Sequence, residues 1–333
     1  MFSVIIPIYN KFRHFEKCLI SVFNQTFRGF ELIIVNDGST DGSLEILKEI
    51  CHLKFANNEK NHQFYYGNIH VKLVNQENMG VSLARNIGVN KASFDFLAFL
   101  DADDWWESTY LEEMKNLLLD YPGAGIYGSN YYLVKNGKKK IANIGVETSF
   151  KKGVINYCRI YANTLTMPIW TGATIIPKRI FEFENGFNPI LKLGEDFDLW
   201  IRVALKYPVV FQNKPLANYN QDVELTNRAV GYLYNPKNHM IWNLEYLAHQ
   251  ETINPDFKHL IDKLRVYILF PYYINNQYHE MAARELKKVN WYNQQLSHKI
   301  KYAFPVFLLK LWHGLMKAGS RLKQKMVSKG NII

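Results

Sequence analysis

Three features are scarce in this 333-residue chain, and each scarcity excludes a class of protein. The three cysteines, Cys18, Cys51 and Cys158, are too few and too widely spaced for a disulfide framework or a paired-cysteine metal site, which favours a reducing, cytosolic setting. No run of about 18 uncharged apolar residues occurs, so we expect no membrane-spanning helix. A strand pattern begins at residue 2, so we expect no signal peptide before it.

Acidic residues are missing from one end of the chain. The net charge is +10, and the segment from Trp291 to the end has eight lysines and arginines and no acid, so the rest is close to neutral. Residues 300–326 have the pattern of a basic amphipathic helix with Pro305 near its start. Two interpretations stay open: peripheral contact with anionic lipids at the inner face of the cytoplasmic membrane, or packing on its own domain or on another subunit of a homo-oligomer.

The first half alternates strand and helix patterns, which predicts an α/β fold with a largely parallel sheet. Strand patterns occur at residues 3–8, 30–35, 71–74 and 95–100, with amphipathic helix patterns between them at 15–23, 44–50 and 81–92. The polar residues 57–68 predict a long loop, and Asn136-Gly137 predicts a hairpin turn.

The character of the chain changes after about residue 228. Helix patterns rich in aromatic residues follow at 231–250, 258–278 and 279–289. We therefore place a boundary near Arg228, with one domain over residues 1–228 and a C-terminal helical region over residues 229–333. The length leaves ample core for such a domain with an appendage.

The most informative motif is a cluster of three carboxylates, Asp101, Asp103 and Asp104, directly after the apolar stretch Phe94 to Leu100. Buried charge is costly, so the cluster is poorly suited to packing the end of a strand. It is well suited to holding a divalent cation against phosphates at the carboxyl end of a sheet. If the strand continues, Asp101 and Asp103 lie on one face and Asp104 lies on the other.

Polar residues also lie at the ends of the first two predicted strands, at 7–10 and 36–42, and before the acidic strand, at 78–88. Carboxyl ends of parallel strands meet at one crevice, so Asp37 is an acceptor for a base or ribose, or else part of a capped turn without a ligand. Arg85 is a phosphate or base contact, or else a surface arginine in a helix.

In this order, the segments resemble family-2 glycosyltransferases of the GT-A fold over residues 1–228. The motifs are Pro7-Ile8-Tyr9-Asn10, Asn36 to Asp41, Asn78 to Gly88, Asp101 to Asp104 and the Glu-Asp motif from Gly194 to Trp200. The resemblance implies a Rossmann-like, mainly parallel sheet with helices on both faces, plus the C-terminal helical region. It also implies an inverting, metal-dependent transfer of a hexose (glucose, galactose or an N-acetyl form) from a UDP-sugar to a glycan or lipid-linked glycan, in cell-surface polysaccharide or glycoconjugate synthesis.

The resemblance implies a role for each motif residue. Asp103 would bind Mn2+ or Mg2+, and Asp196 would be the general base, with Glu195 as its rival. In the nucleotide-sugar site, Asp37 would contact uracil, Arg85 would lie near the uridine and its phosphates, and Asp101 would contact ribose or metal-bound water. The same site would also include Pro7, Tyr9, Asn10, Ala102 and Asp103. The acceptor side would comprise Trp170, Thr171, Gly172, Glu195 and Trp200. The alternatives are that the tryptophans, with Trp105 and Trp106, belong to the core and that the acids complement a helix N-terminus.

Other interpretations are weighed against this one. Many family members carry a histidine after the Glu-Asp motif, but residues 219–228 contain none, so a third metal ligand lacks a candidate. A sugar nucleotidyltransferase would need a glycine-rich triphosphate loop, and residues 9–13 contain no glycine. A catalytically silent carbohydrate-binding protein has no reason to keep Asp101, Asp103 and Asp196. No fingerprint of nucleic-acid binding is present.

Overall fold

The computed structural model of the chain describes residues 1–52, 61–223, 232–311 and 314–315. The chain divides into two compact units, Met1–Glu245 and Tyr246–Ile333. The boundary expected near Arg228 falls outside the described residues, and the first unit continues to Glu245. Among the described residues, no helix has the length and hydropathy needed to span a bilayer.

One mixed β-sheet runs through the first unit. Its strands, within the described residues, are β1 (Phe2–Ile8), β2 (Phe30–Asp37), β3 (Asn61–Tyr66), β4 (Ile69–Gln76), β5 (Phe96–Phe99), β6 (Trp105–Trp106), β7 (Ile126–Lys135), β8 (Lys138–Ile141), β9 (Lys152–Ile155), β10 (Thr174–Pro177) and β11 (Val209–Asn220). They are ordered β3-β4-β2-β1-β5-β10-β7-β11-β6, with β8 paired to β7 and β9 to β11. The strands from β4 to β5 pair in parallel, whereas β10 is antiparallel to both β5 and β7. The α/β class is confirmed, and its parallel part lies mainly in the first half.

Helices cover the sheet of the first unit. They are α1 (Phe12–Phe23), α2 (Ser43–Ile50), α3 (Val81–Asn90), α4 (Tyr110–Asp120), α5 (Tyr157–Thr164), α6 (Lys178–Phe183) and α7 (Glu195–Ala204). Every residue of β1 and β2 is buried, as expected for parallel strands with both faces covered. Helix α3 packs on both strands, and Gly88 lets it approach closely, since an added Cβ would lie 2.5 Å from Ile5 Cγ2.

The direction of the chain through the sheet reverses next to β1. The chain passes from β1 to β2 to β4, and it then crosses back to β5 on the other side of β1. Right-handed crossovers therefore place α3 on the face opposite to α1 and α2. Such a reversal opens a crevice at the carboxyl ends of the two central strands, which is where ligands bind in α/β sheets. Residues 9–11 leave β1 there, and residues 101–104 leave β5 there.

Two turn predictions have different outcomes. The hairpin at Asn136-Gly137 is confirmed, because β7 and β8 pair across it and both turn residues have positive φ. The long loop predicted at 57–68 is wrong for 61–66, which form β3 and pair antiparallel with β4, and its residues 57–60 lie outside the described residues. Aromatic side chains account for this strand: Tyr66 stacks on Phe23 with ring centroids 4.0 Å apart, although the segment is polar in composition.

The helix predicted at 231–250 is wrong for 232–247, whereas 248–250 are helical and residue 231 lies outside the described residues. Short 3-10 turns occupy Pro236–Asn238, Met240–Trp242 and Glu245–Leu247. Local side-chain caps compete with a continuous helix: the Asn235 side chain accepts from the Lys237 N–H, and His239 Nδ1 accepts from the Ile241 N–H.

The described part of the second unit is helical. Its helices are α8 (Ala248–Ile253), α9 (Pro255–Ile268), α10 (Phe270–Tyr273), α11 (His279–Leu286) and α12 (Leu296–Ala303). The helix predicted at 258–278 is split, since Pro271 cannot donate a backbone hydrogen bond to continue α9. The tail helix is split in the same way. Helix α12 ends before Pro305, residues 306–311 are helical again, and 312–313 and 316–326 lie outside the described residues.

Candidate active site

The acidic cluster forms a turn at the carboxyl end of β5. The strand ends at Phe99, and the Asp104 N–H donates to the Asp101 carbonyl at 3.0 Å, so the strand does not continue through the acids and the arrangement that depended on its continuation does not form. The turn keeps the carboxylates of Asp101 and Asp103 partly open to solvent, at 30% and 17% exposure. Ionised carboxylates are costly to desolvate, so a turn suits them better than alternation across a buried sheet.

Arg85 joins this turn to a distant segment of the chain. Its Nη2 donates to Asp101 Oδ1 at 2.6 Å, and its Nη1 donates to Glu195 Oε1 at 3.0 Å. The side chain is only 4% exposed, so the surface-arginine alternative is wrong. A buried guanidinium needs such carboxylate partners, and the two ion pairs fix the start of α7 beside the acidic turn.

Asp196 is the next residue along α7. Burial is the largest cause that raises the pKa of Asp196, and repulsion from Glu195 is the next. The Phe197 N–H donates to Asp196 Oδ1 at 2.7 Å and lowers the pKa, so that its net value is about 7. A carboxylate with a pKa near neutrality is suited to accept a proton under physiological conditions. The rival base, Glu195, is engaged by Arg85.

Lys11 is a candidate functional residue to which no sequence motif pointed. Its Nζ lies 2.6 Å from Asp103 Oδ2. The loop that carries it is held by the segment after β2, because the Asn10 N–H donates to Ser39 Oγ in the next loop and the Lys11 N–H donates to Ser43 Oγ at the start of α2. The available signal was positional: Lys11 follows β1, and β1 is the sheet neighbour of the strand that ends in the acids.

Asp104 supports the turn from inside. It is buried, and its Oδ1 accepts from the Asn220 N–H at 2.7 Å, which ties the end of β11 to the acidic turn. Burial, followed by the charges of Asp103 and Asp101, raises the pKa of Asp104 well above its usual range. Crowding by Asp101 and Asp103 therefore disfavours the ionised form of Asp104 on the buried side of the turn.

Asp37 shapes the loop before α3. Its Oδ1 accepts from Gln76 Nε2 at 2.7 Å and from the Met79 N–H at 2.8 Å, and its Oδ2 accepts from the Gly80 N–H at 2.9 Å. A carboxylate accepts about four hydrogen bonds, so room for a ligand donor is small. The contact with uracil stays a prediction.

The remaining residues of the expected nucleotide site fall into two groups. Tyr9 is 48% exposed beside the crevice, whereas Pro7 and Ala102 are buried and present little beyond their backbone. Asn10 has a φ of 51°, and its Oδ1 accepts from the Thr40 N–H at 2.8 Å, so its side chain holds the two loops together. Among these four, only Tyr9 offers an exposed side chain to a base.

The sequence and the fold of this chain are both similar to those of known proteins. A family model described as glycosyl transferase family 2 matches residues 3–172, just over half of the chain. The chain belongs to glycosyl transferase family 2.

Among family-2 relatives, the glycosyltransferase GlyA of Streptococcus pneumoniae is 33% identical over 223 residues, covering 65% of this chain and 30% of that protein. Chondroitin synthase of Pasteurella multocida is 26% identical over 270 residues, covering 80% of this chain and 25% of the synthase. The chain thus matches at most about a third of the length of these relatives. TarS of S. aureus, solved in complex with UDP-GlcNAc, has a TM-score of 0.66 and 17% identity, covering 86% of this chain and 79% of that one. The GT-A-like fold expected from the motifs is therefore confirmed.

The expected acceptor side of this family-2 chain contains mostly buried side chains. The Trp170 ring packs between Tyr131 and Tyr219, with centroids 4.9 and 5.2 Å away. The Gly172 carbonyl accepts from Trp106 Nε1 at 2.7 Å. The Thr171 hydroxyl is buried without a hydrogen-bond partner among the described residues. The Trp170 ring and the Gly172 carbonyl are thus engaged within the protein.

Two tryptophans are core residues. Trp200 is fully buried and packs edge-on against Phe187 at 5.9 Å, so its expected contact with an acceptor is wrong. Trp106 is buried and stacks on Tyr110 at 4.3 Å. Trp105 is partly exposed, and the Lys17 ammonium lies 3.2 Å from its ring centroid.

The donor atoms suit a cation that is shared with a ligand. In the described part of the chain, no group of three His, Cys, Asp or Glu side chains could hold a metal ion. The turn offers two partly open carboxylates, Asp101 and Asp103, and Mg2+ at phosphate sites commonly takes one or two carboxylates plus phosphate oxygens. The residues present therefore fit a hard divalent cation completed by a diphosphate.

Proposed function

We propose that this chain is an inverting glycosyltransferase that transfers a hexose from a UDP-sugar to a hydroxyl of a glycan or lipid-linked glycan, in cell-surface polysaccharide or glycoconjugate synthesis. The observation that carries the proposal is the Arg85 bridge. It joins the acidic turn, on the donor side, to the start of α7, where Asp196 has a pKa of about 7. TarS, which shares the fold, was solved with UDP-GlcNAc, and this supports a UDP-sugar donor.

The donor would bind across the carboxyl ends of β1 and β5. Tyr9 offers an exposed ring to the base, and Lys11 brings a cation to the side where a diphosphate would lie. Asp103 would hold Mn2+ or Mg2+, with Asp101 beside it on the same turn. Such an ion, when bound, neutralises negative charge on a departing diphosphate.

Asp196 would take the proton from the acceptor hydroxyl. The acceptor oxygen forms a bond to the anomeric carbon as the bond from that carbon to the UDP oxygen breaks. Attack and departure on opposite sides in one displacement invert the anomeric configuration. A base with a pKa near the working pH combines a deprotonated state with enough basicity to accept the proton.

Two observations weigh against the alternatives. The loop between β1 and α1 has no glycine, and the side chains of Ser39 and Ser43 hold its backbone in place. A nucleotidyltransferase needs a glycine-rich loop here that can wrap a triphosphate, so this loop does not suit that activity. A silent carbohydrate-binding protein would gain stability by replacing Asp196, because the raised pKa of this half-buried carboxyl means that its ionisation costs free energy.

The proposal is tested by UDP release from UDP-glucose, UDP-galactose and their N-acetyl forms, with Mn2+, with Mg2+ and with a chelator. We expect one donor to be preferred and release to collapse in Asp103→Ala. Asp120→Ala is the matched control, because Asp120 is an exposed aspartate paired with Lys152. Pyrophosphate formed from UTP and a sugar phosphate, without UDP release from any donor, would favour the nucleotidyltransferase.

A further inference from the structure

The C-terminal end of the described chain exposes large apolar side chains. After Pro305, residues 306–311 are helical. The exposed side chains are Phe304 at 49%, Phe307 at 63%, Leu308 at 40%, Leu311 at 63% and Leu315 at 73%. Contiguous apolar exposure of this kind marks an interaction surface more often than a scattered single residue does. We call Phe304, Phe307, Leu308 and Leu311 the tail surface.

The helical part of the tail surface is one face of the helix. At about 100° per residue, Phe307, Leu308 and Leu311 fall within one sector of roughly 100°. Leu309 lies on the opposite side and is 5% exposed. Lys310 Nζ also donates to Asn276 Oδ1 within the second unit. Among the described residues, the helix is thus attached by its other side, and its apolar face is exposed.

The C-terminal sequence that contains the tail surface has charge of one sign. From Trp291 onward the sequence contains eight cations and no acid. A recess of about 450 Å³ lies beside α12, and its lining includes the rings of Tyr273, Trp291 and Tyr302 and the side chains of Lys287 and Lys299. Aromatic rings together with lysines are typical of the interface between lipid headgroups and acyl chains.

We propose that the tail surface binds the anionic lipid surface of a membrane, with its apolar side chains at the acyl boundary and the lysines against the headgroups. An amphipathic helix with a cationic polar side binds such lipids through both forces. A symmetric contact of this segment with the same segment of a second copy is disfavoured, because the sequence from Trp291 onward contains cations but no acid to pair with them. The proposal does not depend on the donor or the reaction.

The test is co-sedimentation of the full chain with phosphatidylcholine vesicles, with and without phosphatidylglycerol, at low and high salt. We expect binding only to the anionic vesicles, weakened by salt. Phe307→Ser with Leu311→Ser should lower the affinity by roughly tenfold or more, since two exposed apolar side chains lose their burial. Phe183→Ser with Leu119→Ser is the matched control, because each of these residues is 69% exposed elsewhere in the chain.

Three results would overturn the proposal: equal binding to neutral vesicles, binding unaffected by the tail variant, or light scattering that shows a dimer which the tail variant abolishes. UDP release from a soluble donor is measured on the same samples. The tail variant should retain it, so a failure of lipid binding is distinguishable from a failure of the proposed transfer.

Discussion

Arg85 fixes the geometry of the site at the scale of single residues. It is buried in α3, and its two ion pairs reach the acidic turn and the start of α7. In Arg85→Met, Asp101 and Glu195 lose their common partner and repel each other. We expect the free energy of unfolding in urea to fall by about 3–5 kcal/mol, as for other broken buried ion pairs.

The matched control for Arg85→Met is Arg179→Met, because Arg179 is an exposed arginine. Its effect should stay below about 0.5 kcal/mol, as for surface substitutions. An equally small loss in Arg85→Met would show that the guanidinium does not hold the two segments together.

Lys11 and Asp103 give a second prediction for single residues. The Lys11 ammonium neutralises the carboxylate that we assign to the metal. In Lys11→Met, Mn2+ binding without nucleotide should tighten by roughly two- to fivefold, the strength of a partly exposed ion pair, and UDP binding should weaken. Calorimetry measures both affinities, and weaker Mn2+ binding in this variant would contradict the assignment of Asp103.

At the scale of elements, the start of α7 depends on Gly194. Its φ is +82°, and an added Cβ would lie 2.3 Å from Met240 Cγ. Gly194→Ala should therefore displace the first turn of α7, lowering kcat and the melting temperature with little change in UDP affinity. Gly123→Ala is the control, since Gly123 has a φ of +88° but no atom within 4 Å of its added Cβ. Equal effects of the two variants would show that backbone strain alone is responsible.

The elements also show what the sequence could predict. The alternation of strand and helix patterns predicted the parallel strands, and Asn136-Gly137 predicted the hairpin, because both are local signals. The strand at 61–66 was missed, since its pairing with β4 and the stacking of Tyr66 on Phe23 are tertiary contacts.

The site could be predicted as a set of motifs but not as a geometry. The motifs supplied Asp101, Arg85 and Asp196, whereas the bridge from Arg85 to Glu195 spans 110 residues. The role of Lys11 depends on which strand lies beside β1. Trp200 was misassigned because a helical tryptophan does not reveal from sequence which way it faces.

At the scale of the whole molecule, the carboxylate form of Asp196, which the reaction would need, lowers the free energy of unfolding. The pKa of Asp196 is about 7 in the folded protein and 3.8 for an ordinary aspartate. Between pH 3.8 and pH 7, the folded state therefore binds more protons at this group than the unfolded state does. Stability contributed by this group therefore falls as pH rises through that window, and the loss is complete above about pH 7. Asp196→Asn should raise the melting temperature more at pH 8 than at pH 5, by about 2–4 °C for each kcal/mol recovered. Unchanged or lower stability of the variant at pH 8 would contradict a raised pKa of Asp196 in the folded protein.

The most direct test of the account compares transfer by the wild type, Asp196→Asn and Glu195→Gln, with UDP release measured in the presence of simple glycoside acceptors and UDP affinity measured by calorimetry. The wild-type rate should rise with pH through about 7 as Asp196 loses its proton. Asp196→Asn should lower the rate by about 10²–10⁴ and leave UDP affinity unchanged, as expected for loss of a general base. Transfer retained by Asp196→Asn and lost in Glu195→Gln would contradict the account.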